Sequence, residues 1–97
     1  MRVIALRRLR DFWEAGHAEA EGPLRAWYAV SDRAEWQSFA EVRAELPMTD
    51  QVGDKLIFNI GGNKYRLIVA VDYGRHGLLV KWIGTHAEYD KLKVNEL

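Results

Sequence analysis

The feature that most constrains the fold is a change of hydrophobic period near Gly53. Before it, apolar residues recur at helical spacing. After it, Leu56, Phe58 and Ile60 alternate with other residues, as they do along a strand with one buried face. "KYRLIVAVDY" and "LLVKWI" read as further strands, and the short connections "GGN" and "DYGRHG" favour an antiparallel meander. The sequence therefore predicts an α+β fold, with N-terminal helices packed on one face of a small antiparallel sheet.

Turn and capping residues divide the helical half. A short first strand is expected in "MRVIA", and a first helix is indicated by an apolar stripe at Leu6, Leu9, Phe12 and Trp13. Pro23 suits the first turn of a second helix, which the "SDR" at 31–33 is expected to interrupt. Ser38 and Glu41 fit a capping box at the start of a third helix, which Pro47 ends.

Composition and charge limit the class of protein. The 97 residues include no cysteine and are 48% apolar, which indicates one packed domain over 1–97 without a disulfide framework or a thiolate metal site. No apolar run reaches membrane-spanning length, and the start lacks a signal-peptide core, so a cytoplasmic location is expected. The net charge is zero, whereas binders of free nucleic acid usually carry a basic excess, so any basic site must be local.

Two basic residues lie close together on the middle predicted strand. The face expected to meet the helices carries Tyr65, Leu67, Val69 and Val71. Lys64 and Arg66 therefore fall on the other, open face. An arginine on a strand is well placed to bind a phosphate through two N–H groups. Cross-strand pairing or solvation explains the same spacing equally well, so the residues alone leave both interpretations open.

The segment "GTHAEYDK" follows the last predicted strand and is expected to begin a short C-terminal helix. Thr85 opens a "TxxE" capping box. In a helix, Tyr89 and Asp90 lie on the face of His86, and histidine is the side chain best suited to proton transfer near neutral pH. The cap and a role in a site are compatible, because a cap holds its neighbours in place.

The sequence gives little support for a metal site. His86, Glu88 and Asp90 offer possible ligands, but no second histidine lies nearby, and His17 and His76 fall in predicted loops. We therefore expect neither a metal nor a cofactor.

Two motifs in the C-terminal half resemble a known family. "IFNIGGNKYRLIVAVDY" at 57–73 and "WIGTHAEYDK" at 82–91 are similar to the HigB toxins of bacterial toxin–antitoxin pairs, within the wider RelE-like fold. "LRDFWE", "PLRAWY", "WQSFAEVRAELP" and "DQVGD" extend the resemblance over nearly the whole chain. The resemblance implies ribosome-dependent cleavage of messenger RNA, and neutralisation by a HigA-type antitoxin that carries a helix-turn-helix domain.

The resemblance also implies roles for individual residues. In the wider fold, the arginine of a "YRL" strand contacts the scissile phosphate, and this position is Arg66 here. A basic residue and a tyrosine follow the last long strand, which His86 and Tyr89 match. The hypothesis assigns phosphate stabilisation to Arg66, proton transfer to His86, and base stacking or phosphate orientation to Tyr89. Three lysines are expected to hold the RNA: Lys64, Lys81 and Lys91.

Two other functions remain open at this level. A module that binds RNA or DNA without cleaving it would use the same basic face, and loss of cleavage but not of binding in Arg66→Ala would favour the enzyme. A purely structural partner protein, whose polar residues serve only as caps and rims, would not respond to added RNA. An adjacent reading frame that encodes a small helix-turn-helix protein would favour the toxin.

Overall fold

The computed structural model describes all residues, 1–97. Its elements are β1 (Arg2–Ile4), α1 (Arg7–Glu14), α2 (Glu21–Arg33), α3 (Phe39–Glu45), β2 (Asp50–Val52), β3 (Lys55–Ile60), β4 (Tyr65–Asp72), β5 (Gly77–Thr85) and α4 (His86–Tyr89). Single 3₁₀ turns lie at Ala18–Ala20 and Val94–Glu96. The predicted α+β class is confirmed, including the short C-terminal helix. No helix has the length and apolar character that crossing a membrane requires.

The sheet is mixed rather than wholly antiparallel. Its strand order is β1-β5-β4-β3-β2, and β3, β4 and β5 pair antiparallel as predicted. β2, which was not predicted, adds a further antiparallel strand beside β3. β1 instead pairs parallel to β5, with Val3 opposite Leu78. A parallel pair needs a long connection, and here the three helices and three other strands supply it. The first strand thus forms one edge of the sheet and runs parallel to its neighbour β5, which the prediction of an antiparallel sheet did not include.

The second helix runs through the position where an interruption was expected. α2 continues to Arg33, and Ser31 is fully buried. Ser31 continues the stripe of Leu24 and Trp27 at helical spacing, so its small side chain faces the core and does not break the helix. Pro23 lies in the first turn, where its missing N–H costs no helical hydrogen bond. The predicted break at 31–33 was therefore wrong.

The main core fills the space between the sheet and α1 to α3. On β4, the predicted inward residues Tyr65, Leu67 and Val69 are each 3% exposed or less, and Val71 packs at the edge. The helices contribute Leu9, Leu24, Trp27 and Val42 to the same cluster. The prediction of which β4 face meets the helices is confirmed, because the alternation of the strand leaves only one continuous apolar face.

The opposite face of the sheet is covered at its centre. Ile57 and Ile68 form a second cluster with Val94. Trp82 and Leu92 are among the partly buried residues that pack against this cluster. The C-terminal segment therefore covers the centre of the face that was predicted to be open. One accessible end of this face carries the exposed Leu79, and the other is the end at which β4 begins and β5 finishes.

A β-bulge changes the facing of β5 before it reaches that end. The pairing partners of Val80 and Trp82 are neighbours on β4, so Lys81 between them is an extra residue. Because side chains alternate along a strand, the insertion moves Trp82 to the face opposite Val80. The Lys81 carbonyl accepts a hydrogen bond of 3.1 Å from the Arg8 guanidinium on α1. This contact ties the bulge to the helical layer.

We predict that Leu67→Ala lowers the free energy of unfolding by about 2–5 kcal/mol, since Leu67 is fully buried between sheet and helices and its loss leaves a cavity. Leu79→Ala on β5 is the matched control, because Leu79 is 39% exposed and should change stability by about 0.5 kcal/mol. Urea denaturation of both variants measures the difference. Equal losses would contradict the described core.

Candidate active site

The antiparallel pairing of β4 with β5 brings the two sequence motifs together. Arg66 lies opposite Gly84, and Tyr65 lies opposite Thr85. One residue further, the His86 backbone N–H donates a 3.0 Å hydrogen bond to the Lys64 carbonyl. Residues about twenty positions apart in the sequence therefore meet at one end of the sheet, on the face that the C-terminal segment leaves accessible.

Arg66 is held by neutral acceptors only. Its guanidinium donates to the Asn63 side-chain oxygen at 2.7 Å and to the Tyr65 carbonyl at 3.2 Å. No carboxylate pairs with it, although the side chain is half-buried. Its positive charge is thus uncompensated, and three of its five N–H groups remain unused. Asn63 was read from the sequence as turn chemistry alone, and its role in orienting Arg66 was missed.

Tyr89 lies over the Arg66 guanidinium. The Arg66 Cζ atom is 5.9 Å from the centre of the Tyr89 ring, within range of a cation–π interaction. The Tyr89 ring centre is also 6.4 Å from that of Trp82. The structure therefore brings the predicted Arg66 and Tyr89 into contact, and it adds Trp82 to the group.

The predicted cap at Thr85 is present and complete. The Glu88 carboxylate accepts from the Thr85 N–H at 2.9 Å, and the Thr85 hydroxyl oxygen accepts from the Glu88 N–H at 3.2 Å. The hydrogen bond from the Thr85 backbone is the main cause that lowers the pKa of Glu88, followed by that from the Thr85 side chain. The cap holds the first turn of α4, and with it His86.

His86 and Asp90 face each other along α4, as predicted. The His86 Nδ1 atom lies 3.3 Å from a carboxylate oxygen of Asp90. A carboxylate at Nδ1 favours the tautomer that carries its proton there, which leaves Nε2 as the free acceptor. Such a histidine is oriented for proton transfer at Nε2.

The three predicted lysines differ in their surroundings. The Lys64 ammonium is 3.7 Å from a Glu19 carboxylate oxygen, in an exposed pair. Lys91 is exposed just after α4. Lys81 lies at the bulge, five residues before His86, or about 16 Å along an extended strand. No hydrogen bond or ion pair joins its ammonium to Arg66, His86 or Tyr89. The structure thus brings together the predicted residues at the strand ends and leaves Lys81 further up β5.

The loop between α1 and α2 adds residues that sequence reasoning missed. The Tyr65 hydroxyl, on a side chain only 3% exposed, donates a 2.6 Å hydrogen bond to Glu19. The His17 ring stacks on that of Phe12 at 4.1 Å and meets Tyr65 edge-on at 6.0 Å. Nothing in the composition of the loop indicates the hydrogen bond between Glu19 and Tyr65, because the two residues are 46 positions apart in the sequence.

No group of three or more His, Cys, Asp or Glu side chains is arranged to bind a metal ion. Of the three acidic or histidine residues considered above, Glu88 turns its carboxylate back onto its own cap. His86 and Asp90 face each other. The three side chains therefore do not converge on one point.

Comparison with known proteins agrees with this architecture. A family model described as HigB toxin, the RelE-like toxic component of a toxin–antitoxin system, matches residues 20–92. The chain is also 31% identical over 72 residues to a protein named mRNA interferase HigB from Escherichia coli O6:H1, which covers 71% of this chain and 70% of that protein. The fold and these matches define a RelE-like toxin of a toxin–antitoxin system. Within that class, the chain belongs to the HigB toxin family, as the two motifs predicted.

The Glu19–Tyr65 hydrogen bond predicts a pH dependence of stability. It is the main cause that lowers the pKa of Glu19 in the folded protein, with Lys64 second. A lowered pKa stabilises the fold above the usual carboxyl value, about 4.3, and this contribution is lost as the pH falls through the lowered pKa. Glu19→Gln removes the titrating group, so the stability difference from wild type should be constant at neutral pH and shrink at acid pH.

Urea denaturation across an acid-to-neutral pH series measures this difference. Glu35→Gln serves as the control, since Glu35 is exposed and takes part in no side-chain hydrogen bond or ion pair. A stability difference between wild type and Glu19→Gln that does not change with pH would contradict the assigned hydrogen bond.

Proposed function

We propose that the chain is an endoribonuclease that cleaves messenger RNA on the ribosome and thereby inhibits translation. The observation that carries the proposal is the half-buried Arg66 guanidinium, which lacks a carboxylate partner and lies under the Tyr89 ring. Membership of the HigB family supports it, as does the relative whose name describes an mRNA interferase. The cleavage is assigned to the end of the sheet that carries both Arg66 and His86.

The proposed reaction uses the RNA's own 2′-hydroxyl as nucleophile. That oxygen attacks the adjacent phosphorus while the bond to the 5′-oxygen of the next nucleotide breaks, which gives a 2′,3′-cyclic phosphate and a 5′-hydroxyl. The 2′-hydroxyl loses one proton and the leaving oxygen gains one, so the reaction balances without an added water or metal. The protein must move these protons and stabilise negative charge on the phosphate oxygens.

Arg66 is assigned to the phosphate. Its unused N–H groups can donate to two oxygens at once. Because its orientation is already set by Asn63 and Tyr65, little reorganisation is needed as charge develops in the transition state. A half-buried site also strengthens the interaction relative to water.

His86 is assigned to proton transfer through Nε2, either from the 2′-hydroxyl or to the leaving oxygen. Asp90 holds the opposite ring nitrogen, and the backbone hydrogen bond to Lys64 holds the residue against β4. Tyr89 keeps the guanidinium in place and offers a ring edge to the RNA. Lys64, Lys81 and Lys91 are assigned to the flanking backbone, with Lys64 exchanging its exposed contact to Glu19 for a phosphate.

The partners follow from the same proposal. A toxin of this class has an antitoxin, and we assign it to the HigA type, with a helix-turn-helix domain. The ribosome is assigned as the second partner because the chain has zero net charge and so lacks the long-range attraction that holds free RNA. A ribosome presents the strand already ordered, which removes much of the entropic cost of positioning it. This assignment implies action in the cytoplasm.

We predict that Arg66→Ala lowers the rate of messenger cleavage on programmed ribosomes by about 10²–10³-fold, as expected when one preorganised donor is lost. Arg75→Ala is the matched control, since Arg75 is an exposed arginine in the loop after β4 and pairs with Asp72. Primer extension on one messenger gives both rates, and growth arrest on expression gives a cellular readout.

Wild-type cleavage by a folded Arg66→Ala protein would remove the catalytic assignment. If this variant instead binds RNA as before and the wild-type protein cleaves nothing, the chain is a binding module and not an enzyme.

We further predict that the protein cleaves naked messenger RNA poorly at physiological salt and cleaves it efficiently when ribosomes are programmed with it. Affinity for single strands changes with salt with a slope of about −0.7 per phosphate contact, and few lysines or arginines face the site. Rates with and without ribosomes are compared at matched salt and protein concentration. Equal rates would indicate a free ribonuclease.

A further inference from the structure

Trp82 is the residue at this end of the sheet that the proposed chemistry does not use. The β-bulge at Lys81 turns the Trp82 side chain onto the face of the sheet that carries Arg66. There it packs on the cluster of Ile57 and Ile68, yet it remains only partly buried. A partly accessible indole near a guanidinium without a carboxylate partner offers an apolar ring and a positive charge to the same ligand.

The indole of Trp82 lies across the backbone of Gly84. A Cβ atom placed on Gly84 would come within 2.4 Å of two carbon atoms of the indole six-membered ring, Cη2 and Cζ2. Gly84 has an ordinary φ, so its role here is to make room for the ring. Because Gly84 is opposite Arg66 on β4, the ring lies next to the strand position that carries the guanidinium. The missing side chain thus lets the indole ring lie beside the proposed phosphate position.

The polar edge of this ring is free. The Trp36 indole N–H donates to Glu45 and that of Trp27 is buried without a partner. The indole N–H of Trp82 is neither hydrogen-bonded nor among the buried unpartnered groups, so it reaches the surface as an unused donor. The Tyr89 and Trp82 ring planes are inclined by 49°, so the two rings do not form a parallel stack.

We propose that Trp82, seated on Gly84, is a stacking subsite for a nucleobase that flanks the phosphate bound by Arg66. The ligand class is single-stranded RNA. The ring offers a π-face that any base can stack on, the indole N–H offers a donor to a base carbonyl or ring nitrogen, and the adjacent guanidinium attracts the backbone. This inference rests on the proposed function, since it assumes that Arg66 binds an RNA phosphate.

The test asks whether Trp82 contacts a base, by combining a change in the protein with the removal of one base from the RNA and comparing their effects on binding. The probe is a short oligoribonucleotide with every sugar 2′-O-methylated, which blocks the attack. A set of such probes lacks one base at each position in turn. Binding is measured at low ionic strength, where phosphate contacts are strongest.

With the wild-type protein, removing the base at one position should weaken binding by about 5- to 150-fold, the value of one base–aromatic stack. With Trp82→Ala, binding of the intact probe should fall by a similar factor, and removing that base should cost nothing more.

Further variants guard against a merely structural effect. Trp82→Phe keeps an aromatic ring on the second cluster, and it should fall between wild type and Trp82→Ala. Gly84→Ala keeps the indole but displaces it, and it should abolish the dependence on that base. Trp13→Ala is the matched control, because Trp13 is also a partly buried tryptophan and lies on α1 under the Arg25 guanidinium. It should leave probe binding unchanged.

Three results would overturn the subsite. In the first, Trp82→Ala weakens binding of the intact probe and of the probe without the base by the same factor. In the second, no Trp82 variant changes binding. In the third, the wild-type protein does not bind the intact probe.

The proposed function is tested separately by cleavage on programmed ribosomes with Arg66→Ala in parallel. Persistent cleavage by that variant together with coupling at Trp82 would reject the catalytic assignment and keep the subsite. Loss of cleavage in Arg66→Ala without coupling at Trp82 would keep the catalytic assignment and reject the subsite.

Discussion

The rest of the site depends on the backbone pairing between β4 and β5. Hydrogen bonds between the two strands set Arg66 opposite Gly84 and bring His86 against Lys64. Neither side chain is flexibly attached: one projects from a strand and the other begins a capped helical turn. Because most residues of β3 and half of those of β4 are buried, the positions of the proposed reactive groups are set by a well-packed part of the fold.

The charges near this pair are arranged unequally. Lys64 has Glu19 nearby, and His86 has Asp90, whereas Arg66 is held by an amide oxygen and a carbonyl. Half-burying a cation without a counter-ion has a cost in folding free energy, and neutral acceptors offset only part of it. An anion that binds at Arg66 would recover this cost. Arg66, the residue proposed to bind the phosphate, is therefore also the one of the three that has no carboxylate nearby.

Much of the fold could be predicted from the sequence, because it depends on local periodicity. The alternation in β3 and β4, the inward face of Tyr65 and Leu67, and the cap at Thr85 all follow from short-range spacing. The motifs that carry Arg66, His86 and Tyr89 were also readable, since each is contiguous. The parallel docking of β1 on β5 was not, because it depends on the path of the chain through the helices.

The remaining errors have similar physical causes. The break expected at 31–33 came from reading polar residues as solvated, when the helix turns Ser31 inward. The contact of Glu19 with Tyr65 and the role of Asn63 join segments whose proximity no local pattern records. The extra residue in β5 is silent in composition, yet it decides which face Trp82 occupies. Deleting Lys81 would remove one proposed RNA contact and would also turn Trp82 and the residues after it to the opposite faces of β5. The length of this strand therefore matters to the site as much as the identity of its residues.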